Sequence, residues 1–443
     1  MSAHTGQSPP NKKQHMSPVT VIVVGAGQRG NVYGDFCKRN PSLATVVGVA
    51  ETHEKRRSNF VAKHAIAAEN VYDDFRSIPR GLAQAAVVST LDDLHVDMVV
   101  HLASLGYHIM CEKPMATTLA DCERMRTAVK DNSVLFACGH VLRYSPYTRA
   151  LKNILDAGDI GDIVNINHIE PVGWYHFAHS FVRGNWRNEA QTSFSLMTKC
   201  CHDIDLLLHY MTPNKATRVS SFGGLYHFKK SQKPKEAGIA KNCLDCKLKD
   251  SCAYSATQLY VPAARRLQKG WPVSVVCEGS EVDAATPQDL EDLVLDKLRH
   301  GPYGNCVYEI EDNDVCDQQV VNIEFEGGKT ASLTMIAFTE AVCQRTTRIH
   351  GTKGEIIGDM SKFTVFNFET REKREVDPSL MDVDKDGTSG HGGGDSGLMH
   401  AFIRAINAGD QSTVGCDVDD VFNSHALVFA AEESRRNGTV VSL

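Results

Sequence analysis

The run from Val21 to Gly30, VIVVGAGQRG, constrains this chain more than any other stretch. A short β-branched apolar strand feeds a turn in which Gly25, Gly27 and Gly30 recur with G-x-G-x-x-G spacing, and NVYGDFCKRN continues as a helix. Glycine at position 25 permits the tight turn. At position 27 it lets the backbone approach a pyrophosphate, and at position 30 it lets the helix pack close to the strand. The first turn of such a helix presents N–H groups without intrahelical partners to the phosphate charge, and Gln28 and Arg29 lie in that turn. A second strand, ATVVGVAE, ends at Glu51, about 20 residues past the glycines, where a carboxylate accepts from both ribose hydroxyls. The spacing points to a bound dinucleotide. Glu51 favours NAD, while Arg56 and Arg57 keep NADP open, since an arginine there can meet a 2′-phosphate.

Strand and helix signals alternate as far as residue 140, in the manner of a doubly wound parallel sheet of the Rossmann type. AAVVSTLDDLH, YHIMCEKP and VLFACGH read as strands, and MVVHLASLG and TLADCERMRTAVKD as the helices between them. Ligands of such sheets lie over the strand C-termini. Glu51, Thr90, Glu112, Lys113 and His140 all fall there. After the helix SPYTRALKNILDAG the texture changes to strand-like segments separated by Gly/Asp turns: DIVNINHIEPV, TRVSSFGGL, QQVVNIEFEGG, TASLTMIAF, RTTRIHGT and KFTVFNFET. Few helices intervene. The expected fold is α/β, an N-terminal Rossmann domain followed by an α+β domain with a large mixed, mainly antiparallel sheet. The expected boundaries are a disordered tail at 1–17, the dinucleotide domain at 18–140, and a substrate and oligomerisation domain at 141–443 with an insertion at 229–300. The stretch 383–397 reads as a loop, followed by the helix GLMHAFIRAINAG.

A chain of 443 residues is long enough for two well-buried cores. Its net charge of −7, without a basic stripe, speaks against a nucleic-acid partner. The first 18 residues lack the apolar run of about 7–15 that a signal peptide needs, and no stretch approaches the roughly 18 apolar residues of a membrane span. Fourteen cysteines without a secretory signal read as reduced thiols or metal ligands rather than a disulfide framework. The expected setting is cytoplasmic, and the expected assembly is a homo-oligomer formed through the C-terminal sheet.

The stretch STLDDLHVDMVVHLASLGYHIMCEKPMATTLADCERM resembles the Gfo/Idh/MocA oxidoreductases, which carry a Glu-Lys-Pro motif at the end of the fifth strand, here Glu112-Lys113-Pro114. The resemblance continues through HVLRYSPYTRALKNILDAGDIGDIVNI and CCHDIDLLLHYM. It implies an NAD(P)-dependent enzyme that transfers a hydride between nicotinamide and a hydroxyl-bearing carbon of a sugar, sugar derivative or cyclitol. Thr90, Glu112 and Arg143 would lie near the nicotinamide half. Lys113 would take or deliver the hydroxyl proton, and His202 would hold or polarise the substrate. The family often places an aspartate four residues before this histidine. Here that position is Thr198, so Lys199 or Asp205 would have to take over the positioning. Two other readings follow from the family: an NAD-dependent glycosidase that works by transient ring oxidation and elimination, and a non-catalytic NAD-sensing regulator, against which Lys113 speaks.

Three further clusters stand out. EPVGWYHFAHSFVRGNWRNEAQ places Trp174, Tyr175, His176, His179, Trp186 and Arg187 between the domains, suited either to a sugar ring or to an aromatic domain interface. His391 opens HGGGD, ending at Asp395, a candidate rim of the active site; Tyr303, Asp314 and Asp317 are further cleft candidates. Cys243, Cys246 and Cys252 form C-x-x-C-x-x-x-x-x-C in KNCLDCKLKDSCAYSA, either free thiols or a structural metal staple such as zinc. A fourth ligand would come from Cys277, Cys306 or His227, and the spacing alone does not separate zinc from an iron–sulfur cluster.

Overall fold

The computed structural model describes residues 17–277, 286–380 and 391–443. The tail expected at 1–17 lies, but for Ser17, outside them, as does most of the loop expected at 383–397. The first domain runs β1 (Val19–Val24), α1 (Gln28–Arg39), β2 (Ala44–Ala50), α2 (Glu54–His64), β3 (Val71–Tyr72), β4 (Ala85–Val88), α3 (His95–Ser104), β5 (His108–Cys111), α4 (Leu119–Asp131) and β6 (Phe136–Cys138). Its strands are parallel throughout, in the order β3-β2-β1-β4-β5-β6. β1 and β4 are almost wholly buried because helices cover both faces of a parallel sheet, which is why they read as continuous apolar runs. The chain turns one way from β1 to β2 and the other way to reach β4. The crevice above those strand ends is the switch point where doubly wound sheets bind ligands.

The second domain contains α5 (Pro146–Asp156), β7 (Ile163–Pro171), α6 (Trp174–Phe177), α7 (Ser195–Met211) and β8 (Ala216–Gly224). The insertion follows with α8 (Ala256–Arg265), α9 (Val273–Val276) and α10 (Pro287–His300). Then come β9 (Gln318–Phe325), β10 (Lys329–Ile336), β11 (Thr346–Gly351), β12 (Gly354–Gly358), β13 (Phe363–Asn367), β14 (Lys373–Val376), α11 (Gly394–Ala408), α12 (Val418–Asn437) and β15 (Val441–Ser442). Nine strands form one sheet, β14-β13-β12-β11-β7-β10-β9-β8-β15. Every pairing is antiparallel except β7 with β10, so the expected fold class is what the chain adopts. One face is covered by α7, whose Leu196, Met197, Cys200, Ile204 and Leu207 pack with Ile166, Val321, Leu333 and Ile349. That pattern of alternating strand residues is the period-two burial of a half-covered sheet.

Two packing features matter for the site. α11 returns to the first domain: Leu398, Met399, Phe402 and Ile403 share one core with Val21, Val23 and Phe36. It begins at Gly394, earlier than the loop reading suggests. A Cβ at Gly394 would stand 2.3 Å from the Val141 carbonyl oxygen, and one at Gly397 would stand 2.4 Å from that of Tyr144. These glycines serve close helix approach as well as chain reversal. The insertion gathers its own small core, with Ala256, Tyr260, Val273, Leu290, Val294 and Leu298 buried together. Among the described residues no helix is long and apolar enough to cross a membrane, and none of the fourteen cysteines is in a disulfide.

Candidate active site

The glycine turn has the shape its spacing requires. Gly25 has φ +92°, and a Cβ there would come within 2.7 Å of the Ser89 carbonyl oxygen. A Cβ at Gly30 would stand 2.0 Å from the Gly25 oxygen, whereas one at Gly27 would meet nothing within 4 Å. No side chain caps the N-terminus of α1, so its free N–H groups face the crevice, the arrangement that binds phosphate. A cavity of about 620 Å³ opens beside it, lined by Gly25, Glu51, Thr52, Asp73, Asp74, Thr90 and Met98 among others. Glu51 accepts from the Ala26 N–H through Oε2 and from the His53 N–H through Oε1, both at 2.8 Å. Oε1 also receives the Thr52 hydroxyl at 3.5 Å, while Oε2 keeps a second lone pair for a hydroxyl donor. These residues fit an NAD adenosine half. Arg57 donates to the backbone carbonyls of Glu51 and Thr52 at 2.5 and 3.2 Å, and Arg56 and Gln28 are exposed.

Other expected cofactor residues have different partners. Arg29 turns away from the crevice: Nε donates to Glu112 at 2.6 Å, and Nη2 to the Tyr33 hydroxyl at 2.6 Å and to Asp395 at 2.8 Å. Glu112 is buried and also accepts from Tyr33 Oη and from the Lys113 N–H, at 2.5 and 3.0 Å. The Arg29 guanidinium offsets the cost of burying Glu112 and holds its carboxyl below the usual range. Asp395 likewise stays ionised despite burial, through hydrogen bonds from His391 and Arg29. This network ties α1, the end of β5 and the start of α11 into one frame around Lys113. It holds both Arg29 and Glu112 in place within the scaffold.

Lys113 and His202 meet where the two domains touch. Lys113 follows β5, and its Nζ donates to the Thr198 carbonyl oxygen in α7 at 2.7 Å. The backbone of the residue that replaces the family's aspartate thus receives the lysine. His202 lies one turn further along α7, 5% exposed, and its Nδ1 has no partner within the protein. Burial first, then the charges of Lys113 and His140, push its imidazolium form well out of reach, so the ring is neutral. His391 faces it with ring centroids 6.0 Å apart, which puts the HGGGD segment on the same wall. Asp92 lies close by and accepts from Trp186 Nε1 at 3.1 Å; burial pushes its carboxyl up, while His95 and Lys113 pull it down.

Behind His202 sits a charged layer. Arg143 grips Asp205 with Nε at 2.6 Å and Nη2 at 2.8 Å, and His140 Nδ1 lies 3.0 Å from the same carboxylate. That contact is not aligned as a hydrogen bond, so it acts through charge. Arg143 and Asp205 are therefore paired with each other. Burial opposes a charge on His140, but Asp205 outweighs it and raises the pKa from 6.5 to about 9. A raised folded value means this contribution is complete below about 6.5 and is lost as pH climbs through about 9. The size is roughly 3 kcal/mol. Denaturant unfolding across that window should show a decline, and His140→Gln should flatten it; an equally steep decline in the variant would contradict the assignment.

A second charged cluster lies where β7, α7 and the turn before β11 meet. Lys199 Nζ is 3.2 Å from Glu170 Oε1 and 2.9 Å from Cys343 Sγ. Arg345 bridges Glu170 and Asp203 at 3.0 and 2.6 Å, and His168 Nε2 adds to Asp203 at 2.9 Å. His176 Nδ1 lies 3.3 Å from Cys343 Sγ, with burial pushing its pKa down to about 2. Glu170, Asp203, Cys343 and Arg345 were not singled out in the sequence. A signal existed in β7, where NINHIEP puts His168 and Glu170 at inward positions that should be apolar. Trp174, Tyr175 and His176 are half-buried. Tyr175 and His176 meet Trp271 of the insertion at 5.9 and 4.8 Å between ring centroids. His179 stacks on Tyr303 at 4.8 Å. Arg187 pairs with Asp312 at 2.9 Å, Asp314 accepts from the Glu189 N–H, and buried Asp317 accepts from the N–H groups of Tyr226 and His227.

Comparison with known proteins agrees with this geometry. Residues 19–140 match an oxidoreductase family with an NAD-binding Rossmann fold, and residues 152–443 match that family's C-terminal alpha/beta domain. An inositol 2-dehydrogenase of Salmonella typhimurium is 29% identical over 187 residues, 42% of this chain and 52% of that protein. A 2,7-anhydro-N-acetylneuraminate hydratase of Escherichia coli is 27% identical over 146 residues, 33% of this chain and 38% of that protein. These alignments thus span about half or less of either relative. A levoglucosan dehydrogenase solved with NADH and levoglucosan superimposes with a TM-score of 0.70 at 18% identity, covering 96% of this chain and 99% of that one, a likeness of fold.

Proposed function

Because the chain belongs to the Gfo/Idh/MocA oxidoreductase family, we propose that it is an NAD-dependent enzyme that moves a hydride between nicotinamide and a hydroxyl-bearing carbon of a sugar, sugar derivative or cyclitol. The observation that carries this reading is the meeting of Lys113, held on the Thr198 carbonyl, with a neutral, unpartnered His202. The nucleotide, when bound, supplies or accepts the hydride. Gly25, Gly27, Gly30 and the uncapped start of α1 would hold its pyrophosphate, and Glu51 a ribose. One Lys113 N–H is taken by Thr198, leaving two for a substrate oxygen. The lysine can therefore steady the charge that grows on that oxygen and exchange its proton. His202 offers a lone pair to the hydroxyl and orients it. The dehydrogenases of inositol and levoglucosan support a hydroxyl-rich ring as substrate, and half-buried Trp174, Tyr175 and His176 suit its C–H faces.

NAD is preferred over NADP on charge grounds. Glu51, Asp73, Asp74 and Asp97 line the same cavity. Arg76, which also lines it, pairs with Asp74 at 3.3 Å, and Arg57 is occupied by backbone carbonyls, so carboxylates outnumber arginines around a 2′-phosphate there. Glu51→Arg should move the NADP/NAD affinity ratio by about 10- to 100-fold, the worth of a charged hydrogen bond or two. Titration of both nucleotides reads this directly, and an unchanged ratio would remove Glu51 from the ribose site.

Thr198 in place of a carboxylate favours a second reading, in which the ring is oxidised only transiently and the net reaction is redox-neutral elimination or hydration. The hydratase relative is consistent with it. A panel of cyclitols, sugars and glycosides, followed at the nicotinamide absorbance and by product analysis, separates the two. Net NADH formation supports the dehydrogenase. Turnover without NADH accumulation supports the second reading.

A further inference from the structure

The three spaced cysteines of the insertion are joined in the fold by a fourth. Cys243, Cys246, Cys252 and Cys306 line one small cavity of about 20 Å³, room for a single ion or water. Cys306 is carried there by a bridge between Asn242 and Asn305 and by its own N–H donating to the Lys241 carbonyl at 2.8 Å. The other two candidate ligands are placed elsewhere. Cys277 lies in the apolar core of the insertion, and His227 Nε2 is taken by the Tyr308 hydroxyl at 2.9 Å.

A second observation makes this more than a group of thiols. Arg183 lines the same cavity and is fully buried, 0% exposed. Its Nε donates to the Asn305 carbonyl at 2.7 Å; Nη2 donates to the Tyr254 carbonyl at 2.7 Å and to Cys243 Sγ at 3.5 Å; Nη1 has no partner. No carboxylate among the described residues pairs with it. A buried guanidinium whose neighbours are carbonyls, a thiol and the Tyr260 hydroxyl, with no carboxylate, is an uncompensated charge, which is costly. Leu248 also aims its N–H at Cys246 Sγ, 3.4 Å away, so a backbone donor already faces that sulfur.

We propose that Cys243, Cys246, Cys252 and Cys306 bind one zinc ion as four thiolates, with Arg183 as its countercharge. The four thiols release four protons, the centre carries two net negative charges, and nothing is oxidised or reduced. Among the described residues only His140, Cys201 and His425 already converge within 4.8 Å. His425 has both ring nitrogens occupied, by the Val421 carbonyl and the Met115 N–H, each at 2.8 Å. The cysteine sulfurs stand further apart, and bonds of about 2.3 Å draw them in around the ion. The centre staples the base of the insertion whose Trp271 meets Tyr175 and His176.

The test uses the full chain purified without added metal. Elemental analysis should give one zinc per chain, and X-ray absorption four sulfur neighbours with no nitrogen. Cys306→Ser should lose the zinc, Cys277→Ser should keep it, and Arg183→Met should weaken retention against a chelator by about 10- to 100-fold, as loss of an outer-shell partner does. If Cys306→Ser fails to fold, the sulfur count in the parent decides. Folded parent without metal and with all four thiols open to titration, iron with sulfide absorption, fewer than four sulfurs, or zinc retained in Cys306→Ser each overturns the proposal.

Discussion

Lys113→Met is expected to lower turnover by about 10²–10⁴-fold, the usual contribution of a positioned acid–base group, while NAD affinity stays close to that of the parent. The split follows from geometry. The lysine amine reaches across to the Thr198 carbonyl in α7 and does not line the cavity beside Glu51 that serves the adenosine end. Methionine keeps the length and apolar stem of the side chain and removes the donor. Steady-state rates on an identified substrate, together with nucleotide titration, read both halves. Near-parental turnover would remove Lys113 from the chemistry, and a comparable loss in NAD affinity would make it a cofactor ligand instead.

Arg143→Met should destabilise the fold by about 3–5 kcal/mol, the typical cost of removing one partner from a buried ion pair. Total stabilities of about 5–15 kcal/mol make this a large fraction. Asp205 is 1% exposed and would keep only His140 as a nearby cation. Thermal or denaturant unfolding should register the loss, and adding Asp205→Asn should restore part of it, because the stranded charge is then gone. If Arg143→Met unfolds like the parent but binds NAD poorly, Arg143 contacts the nucleotide, as the family resemblance first suggested.

The first sheet was legible because its strands are short continuous apolar runs and its turn needs glycine at three fixed places. The second sheet was legible from alternating strands such as QQVVNIEF. α12 was not, because it is buried on several sides: Val418 and Val421 belong to one core, and Leu427 and Val428 to another, so no single stripe marks it. β14, with exposed Lys373, Arg374 and Glu375, carries no apolar pattern at all. At the site, Lys113 and His202 stood out because each lies in a compact local motif. The pairing of Arg29 with Asp395 and of Arg143 with Asp205 did not, since the partners lie 366 and 62 residues apart, and a lone arginine near a glycine turn or a strand end reads equally well as a phosphate ligand. Cys306 was one of three candidates until Asn305 paired with Asn242.

The structure of the NADH complex tests the central claim most directly. The expected result is one nucleotide with its pyrophosphate over Gly27, its adenine-side ribose on Glu51 and its nicotinamide ring beside Lys113 and His202. A nicotinamide ring placed away from those two residues, or no nucleotide at millimolar NADH, would contradict it.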